Sequence, residues 1–216
     1  MNKLDFIYKR HSVRQYKDTD LPLEDIIEIL KAATFAPSGC NMQNWHFVVL
    51  RNKKKIQELV KIIEEENEKF VKNSKDEVLK DKFKKFLKFQ TVFKSAPIVI
   101  FLYYGEYTGL DYTLTKSLFK ENNTSKEEVT HYLNTAPAIQ NASAAMENLT
   151  LAAAALGYGT CWATSQNFAI KRIESFINLK KEGYNLMAIT PLGIPYILEQ
   201  KSPPRKTLEE VATFID

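Results

Sequence analysis

Apolar positions recur along this chain with two different periods, and the switches between them mark its elements. Leu4, Ile7 and Tyr8 place an apolar face on a short N-terminal helix. Leu23, Ile26, Ile27, Leu30 and Ala33 follow the spacing of a core-facing helix, with Pro22 at its start and Pro37 beyond its end. The unbroken β-rich runs Trp45 to Leu50 and Ile98 to Tyr104 predict two buried strands. Between them, Ile56, Leu59, Val60 and Ile63 mark one helix, and Phe83, Phe86, Leu87 and Phe93 another. Periodicity fades from Gly105 to Lys126, which predicts loop with short helical pieces. Pro137, Ile139, Ala142, Ala145, Met146, Leu149, Ala152, Ala153 and Leu156 then form the stripe of a long helix closed by Gly157. Its alanines would let a second helix approach closely. Tyr158 to Thr164 reads as a strand, Ile170, Ile173, Phe176 and Ile177 as a helix face, and Asn185 to Leu192 as the last long strand. Leu208 to Ile215 closes the chain as a short amphipathic element. Patterning alone supports a mixed α and β domain.

Composition narrows this picture. A chain of 216 residues, 44% hydrophobic and 26% charged, is large enough to bury a real core as a single domain over 1–216. No apolar run approaches the roughly 18 residues of a membrane span, and Asp5, Lys9 and Arg10 interrupt any leader-like segment, so a cytoplasmic protein without membrane association is expected. A net charge of +4 is too small to argue for nucleic acid. Cys40 and Cys161 are too few and too far apart for a disulfide framework or a zinc site, and His11, His46 and His131 lack metal-ligand spacing. Cys161 reads as a packed thiol; Cys40, in a polar loop, is the better redox candidate. Residues 51–94 hold fourteen basic and eight acidic side chains, mostly a solvated face, whose exposed side could also serve as a positively charged lid for an anionic nicotinamide cofactor.

Two stretches carry candidate chemistry. Arg10-His11-Ser12-Val13-Arg14-Gln15-Tyr16 packs guanidinium groups, an imidazole and a hydroxyl into one extended segment, a donor set suited to phosphate as well as to a plain solvated turn. Ala36-Pro37-Ser38-Gly39-Cys40-Asn41-Met42-Gln43-Asn44 is dense in small side chains and amides ahead of a strand, which suits the edge of a flat heterocycle or a self-satisfied turn. No Gly-x-Gly-x-x-Gly or Gly-x-x-x-x-Gly-Lys occurs, so Rossmann and P-loop sites have no support.

These stretches, together with Ala155-Leu156-Gly157-Tyr158-Gly159-Thr160-Cys161-Trp162, Leu192-Gly193-Ile194-Pro195 and Pro204-Arg205-Lys206, resemble the FMN-dependent nitroreductase family over nearly the whole length. The resemblance implies an α+β fold with a mostly antiparallel sheet flanked by helices, and an intertwined homodimer that exchanges its C-terminal tails and holds two FMN sites at its interface. It assigns the FMN phosphate and ribityl contacts to Arg10, His11, Ser12 and Arg14, helped by Arg205. It makes Pro37, Ser38, Asn41 and Gln43 the partner-subunit loop that reaches the flavin, and lays Trp162, Ala163, Thr164 and Ser165 along the isoalloxazine. The implied activity is transfer of hydride from NAD(P)H through FMN to a nitroaromatic, quinone or similar small-molecule acceptor; an FMN carrier, sensor or storage protein is the alternative. Three departures stand out. The family's frequent Gln-Pro-Trp reads Gln43-Asn44-Trp45, which removes a fixed φ and predicts a looser loop. A common Asn is replaced near Phe89 and Gln90, and no acidic residue stands at Thr164.

Overall fold

The fold, seen in a computed structural model, is described for residues 3–197 and 203–215. Its centre is an antiparallel four-stranded sheet in the order β1-β2-β4-β3, built from β1 (Trp45–Leu50), β2 (Ile98–Tyr104), β3 (Gly159–Thr160) and β4 (Asn185–Gly193). The continuous apolar run of β2 follows from its place: both of its faces are covered. Ile98 and Ile100 pack with α2 (Leu23–Thr34) and α7 (Pro137–Ala155), while Val99, Phe101 and Tyr103 pack with α3 (Lys53–Asn73) and α8 (Ile170–Ile177). In α7 the small residues do what their size permits, since Leu149 and Ala153 sit in one cluster with Ile26, Ile29 and Ala33 of α2. That stripe turns α2 away from the expected face, leaving Leu23 and Ile27 exposed.

The remaining helices are α1 (Asp5–Lys9), α4 (Glu77–Gln90), α5 (Leu110–Glu121) and α6 (Lys126–Leu133). α5 is a 12-residue helix in a stretch that sequence periodicity reads as loop with short helical pieces. It buries no residue; Tyr112 instead meets Tyr107, and Tyr132 of α6 stacks on Tyr112 and meets Phe119, so ring contacts outside the main core replace an apolar stripe. Phe93, assigned by spacing to the preceding helix, lies beyond the end of α4 and is wholly buried. The strand expected from Tyr158 to Thr164 is only two residues long. Gln166 Nε2 donates to the Ala163 carbonyl and Asn167 N–H to the Thr164 carbonyl, so a turn displaces most of the ladder and the chain meets β4 again only at Ala163↔Ile189. Near the C-terminus, Leu208–Val211 forms a turn and no helix; so short a segment needs packing to stay helical, and its apolar side chains are exposed.

Candidate functional site

After α1 the chain becomes an extended arm that docks beside β3. Ser12 bridges Thr160 in parallel, Val13 N–H donates to the Thr160 carbonyl at 2.8 Å, and Tyr16 bridges Pro195. The approach is close because Gly159 has no side chain: a Cβ there would lie 2.6 Å from Val13 Cγ2. Val13 is buried against Gly159, and alternation along the extended arm turns Ser12 and Arg14 to the other side, where Ser12 and both arginines act on the Cys161 thiol. Burial raises that thiol's pKa above its ordinary value of 9.0, and Arg14, a Ser12 hydrogen bond and Arg10 oppose the rise. Cys161 is therefore a packed thiol, as its sequence context implies, and its position proves that the arginine motif and the Cys161-Trp162 motif share one place.

The cluster is rich in donors without matching acceptors. Arg14 makes no ion pair among the described residues and only a 3.4 Å contact with the Ser12 carbonyl; Arg10 has Glu147 at 4.0 Å. His11 donates from Nδ1 to the Lys9 carbonyl at 3.0 Å, while its buried Nε2 has no partner. A cavity of about 160 Å³ opens between Arg10, His11 and the Gly157–Thr160 turn. A larger one, about 560 Å³, lies between Arg14–Tyr16, Tyr196 and the C-terminal end of α4, where Lys88 and Phe89 line it. A cationic cluster whose one counter-charge among the described residues, Glu147, stands 4.0 Å from Arg10, with an orphaned ring nitrogen beside open space, fits a phosphate-bearing cofactor. Phe89 lies where the sequence departs from the family's Asn, whereas Lys88 has only the basic run of 51–94 as its signal. Gln90, by contrast, is buried and accepts from Asn67 Nδ2 at 2.6 Å, so its amide is turned away from the cavity.

Trp162, Ala163, Thr164 and Ser165 continue from this cluster along the edge of β4. Ser165 Oγ donates to the Phe89 carbonyl at 2.8 Å, tying the segment to α4. The Ala163 amide is spent on the Ile189 carbonyl, whereas the N–H groups of Thr164 and Ser165 have no acceptor among the described residues. Arg205 is exposed and likewise has no hydrogen bond or ion pair among the described residues; Lys201 and Ser202 lie outside them.

The amide loop adopts an unusual conformation. Cys40, Asn41 and Gln43 have φ of 52°, 50° and 45°, the left-handed region that side chains other than Asn or Asp rarely enter. Ser38 Oγ accepts from the Gln43 N–H at 3.1 Å, and Gln43 Nε2 donates to Asn41 Oδ1 at 3.0 Å, so Ser38, Asn41 and Gln43 close into one exposed cup beside Pro37. The loosening expected at Asn44 is not seen. Its side chain is buried and bonded at both ends, to Gly105 and Asn141, which pins the loop where a proline would only have restricted φ. Cys40 is exposed, with Tyr107 Oη at 3.5 Å and Asp111 Oδ1 at 3.6 Å.

Within one chain, this loop and the arginine cluster do not meet. The loop leads into Trp45, which pairs with Tyr104, itself opposite Asn185; the arm docks on Gly159–Thr160, opposite Gly193 and Leu192. They occupy diagonal corners of the sheet, separated by about 14 Å across three strand spacings and by roughly 25 Å along the strands. Trp162–Ser165 lies on the same edge as the arm.

This architecture is that of a known class. A family model described as the nitroreductase family matches residues 7–194, and the chain belongs to that family. Among solved structures, it is similar to a BluB-like flavoprotein from Clostridium difficile 630, at 35% identity over 100% of both chains and a TM-score of 0.89. An iodotyrosine deiodinase solved with FMN and 3-iodo-L-tyrosine shares the fold at 23% identity and a TM-score of 0.68, over 97% of this chain and 98% of that one. A local match, 46% identical over 56 residues, joins the chain to the "Putative NADH dehydrogenase/NAD(P)H nitroreductase" of Archaeoglobus fulgidus; it covers 26% of this chain and 32% of that protein. The family makes the protein an oxidoreductase. No helix among the described residues is long and apolar enough to cross a membrane.

Proposed function

We propose that the protein is an FMN-dependent NAD(P)H oxidoreductase that works as a homodimer with two shared flavin sites. The observation that carries this reading is the meeting of Arg10, Ser12 and Arg14 at Cys161, where the Cys161–Ser165 segment begins, with the unpartnered His11 Nε2 beside the preceding turn, in a cluster that offers donors and almost no acceptors. The two arginines and Ser12 would hold the phosphate and ribityl oxygens, with His11 Nε2 and the tail's Arg205 completing the cradle. Trp162, Ala163, Thr164 and Ser165 would run along the ring, where the unspent N–H groups of Thr164 and Ser165 are suited to stabilise negative charge on its polar edge. Bound FMN supplies a two-electron centre that takes hydride from NAD(P)H and then reduces a nitroaromatic, quinone or similar acceptor in a ping-pong cycle. No side-chain acid or base need be assigned to that transfer.

The diagonal placement of the loop supports the dimer. Pro37, Ser38, Asn41 and Gln43 stand too far from the arginine cluster of their own chain to serve its flavin, so they would serve the partner's. Their internal bonds leave the Asn41 Nδ2 donors and the Gln43 Oε1 acceptor free to face a heterocycle edge. Protein purified with FMN in the medium should be yellow, hold one FMN per chain, and oxidise NAD(P)H when an acceptor is present. A colourless product that takes up no added FMN would overturn the proposal.

A further inference from the structure

Two buried asparagines far apart in sequence set the shape of the strained loop. Gly39 N–H donates to Asn141 Oδ1 at 3.0 Å, Asn141 Nδ2 donates to Asn44 Oδ1 at 2.8 Å, and Asn44 Nδ2 donates to the Gly105 carbonyl at 2.7 Å. The Gly105 N–H returns to the Asn44 carbonyl at 2.7 Å. This chain of bonds has one direction. A backbone N–H can only donate and a carbonyl can only accept, so the two ends dictate the orientation of both side-chain amides, and flipping either one breaks two bonds. Both asparagines are buried, where an unmade bond is costly.

The two anchors, Gly39 and Asn44, bracket all three left-handed residues, Cys40, Asn41 and Gln43. Within the loop, the Gln43 N–H is held by Ser38 Oγ and its side chain by Asn41 Oδ1, but neither bond ties the loop to the rest of the fold. A clamp at each end, fixed to α7 through Asn141 and to the end of β2 through Gly105, supplies that tie and holds the left-handed residues between fixed points. Position 44 is where the family often carries proline, which could make neither side-chain bond.

We propose that Asn44 and Asn141 are positioning residues: their amide relay holds the Ser38–Gln43 cup in its left-handed form and so sets the affinity for the flavin bound by the partner subunit. The proposal rests on the assignment of that loop to the partner's flavin site.

The test uses full-length protein, as apoprotein and with FMN, in wild type, Asn141→Asp and Asn141→Leu. The carboxylate of Asn141→Asp still accepts from Gly39 but cannot donate to Asn44. Once protonated it can, so acid should restore the relay in this variant alone. FMN affinity of Asn141→Asp should fall roughly tenfold at pH 8, the order of effect that leaving one buried polar group unpaired produces. At pH 5 it should return to within about twofold of wild type measured at the same pH, while Asn141→Leu stays weak at both. In the apoproteins at pH 8, hydrogen exchange at the Gly39 amide should be faster in Asn141→Leu than in wild type. Equal losses in Asn141→Asp at both pH values would assign the effect to general damage and overturn the proposal. Wild-type affinity at pH 8, or a Gly39 amide as protected in Asn141→Leu as in wild type, would overturn it too. A wild type that binds no FMN would instead overturn the flavin assignment, and that result is read before any variant is made.

Discussion

Gly157 and Gly159 lie two residues apart and are glycine for different reasons. Gly159 has Val13 against it, so Gly159→Ala must push the arm outward, at a cost of about 1–3 kcal/mol for an overpacked contact. Because the arm carries Arg10, Ser12 and Arg14, this variant should lose FMN affinity along with stability. Gly157 has φ of 81° and nothing within 4 Å of an added Cβ, so Gly157→Ala meets only backbone strain, about 1 kcal/mol, and should bind FMN as wild type does. Denaturant midpoints and flavin titration of the pair separate the two cases. A second residue-level expectation concerns alkali. Burial pushes the Cys161 thiol above 9.0, the Tyr16 hydroxyl well above 10.0, and Tyr103 up to about 12; a hydrogen bond to Cys40 is the main cause that pushes Tyr107 to about 12. Above about pH 9 the unfolded chain releases protons that the folded chain retains, so stability must fall as pH rises from there, and be unaffected by these groups below it. Thermal midpoints between pH 7 and 11 would show this; a midpoint that climbs above pH 9 would contradict it.

Among the elements, those with a single strong period were legible in sequence. β2 is a continuous apolar run covered on both faces, β1 and β4 are predominantly apolar, and α3 presents Ile56, Leu59, Val60 and Ile63 to the core. α5 was not legible, because it rests on tyrosine ring contacts and buries nothing. The candidate site shows the same division. The arm and the Cys161 turn were readable because each is a compact run of chemistry-bearing residues. The left-handed loop was hidden, since Cys40 and Gln43 carry no glycine signal, and the Asn44–Asn141 bond joins positions 97 residues apart. The tail is the element whose role is most open to test. Leu208 is 61% and Phe214 80% exposed, with Val211 between them also exposed, which is an apolar face that its own chain does not cover. If a partner covers it, each side chain contributes roughly 1.5–3 kcal/mol on full burial. Arg205→Ala should therefore weaken FMN binding and leave the dimer intact, whereas truncation after Gln200 should impair both. Sedimentation read at the flavin band reports both at once, and a truncated protein that remains dimeric and fully yellow would show the tail assignment to be wrong.

For the whole molecule, the decisive feature is that the sheet keeps the two candidate site segments at opposite corners. The arm, the Cys161–Ser165 segment and the α4 terminus stand at one corner; the loop before β1, held by α7 and β2, stands at the other. On the proposed reading, such a chain would complete its site only by pairing, with each subunit contributing to both flavin centres. That arrangement belongs equally to an enzyme and to a flavin carrier, so the central claim is one about turnover. Stopped-flow absorbance of the FMN-loaded protein tests it most directly. Rapid bleaching of the flavin band by NADH or NADPH, followed by rapid recovery when a quinone or nitroaromatic is added, is the predicted result; flavin that bleaches only with dithionite would contradict it.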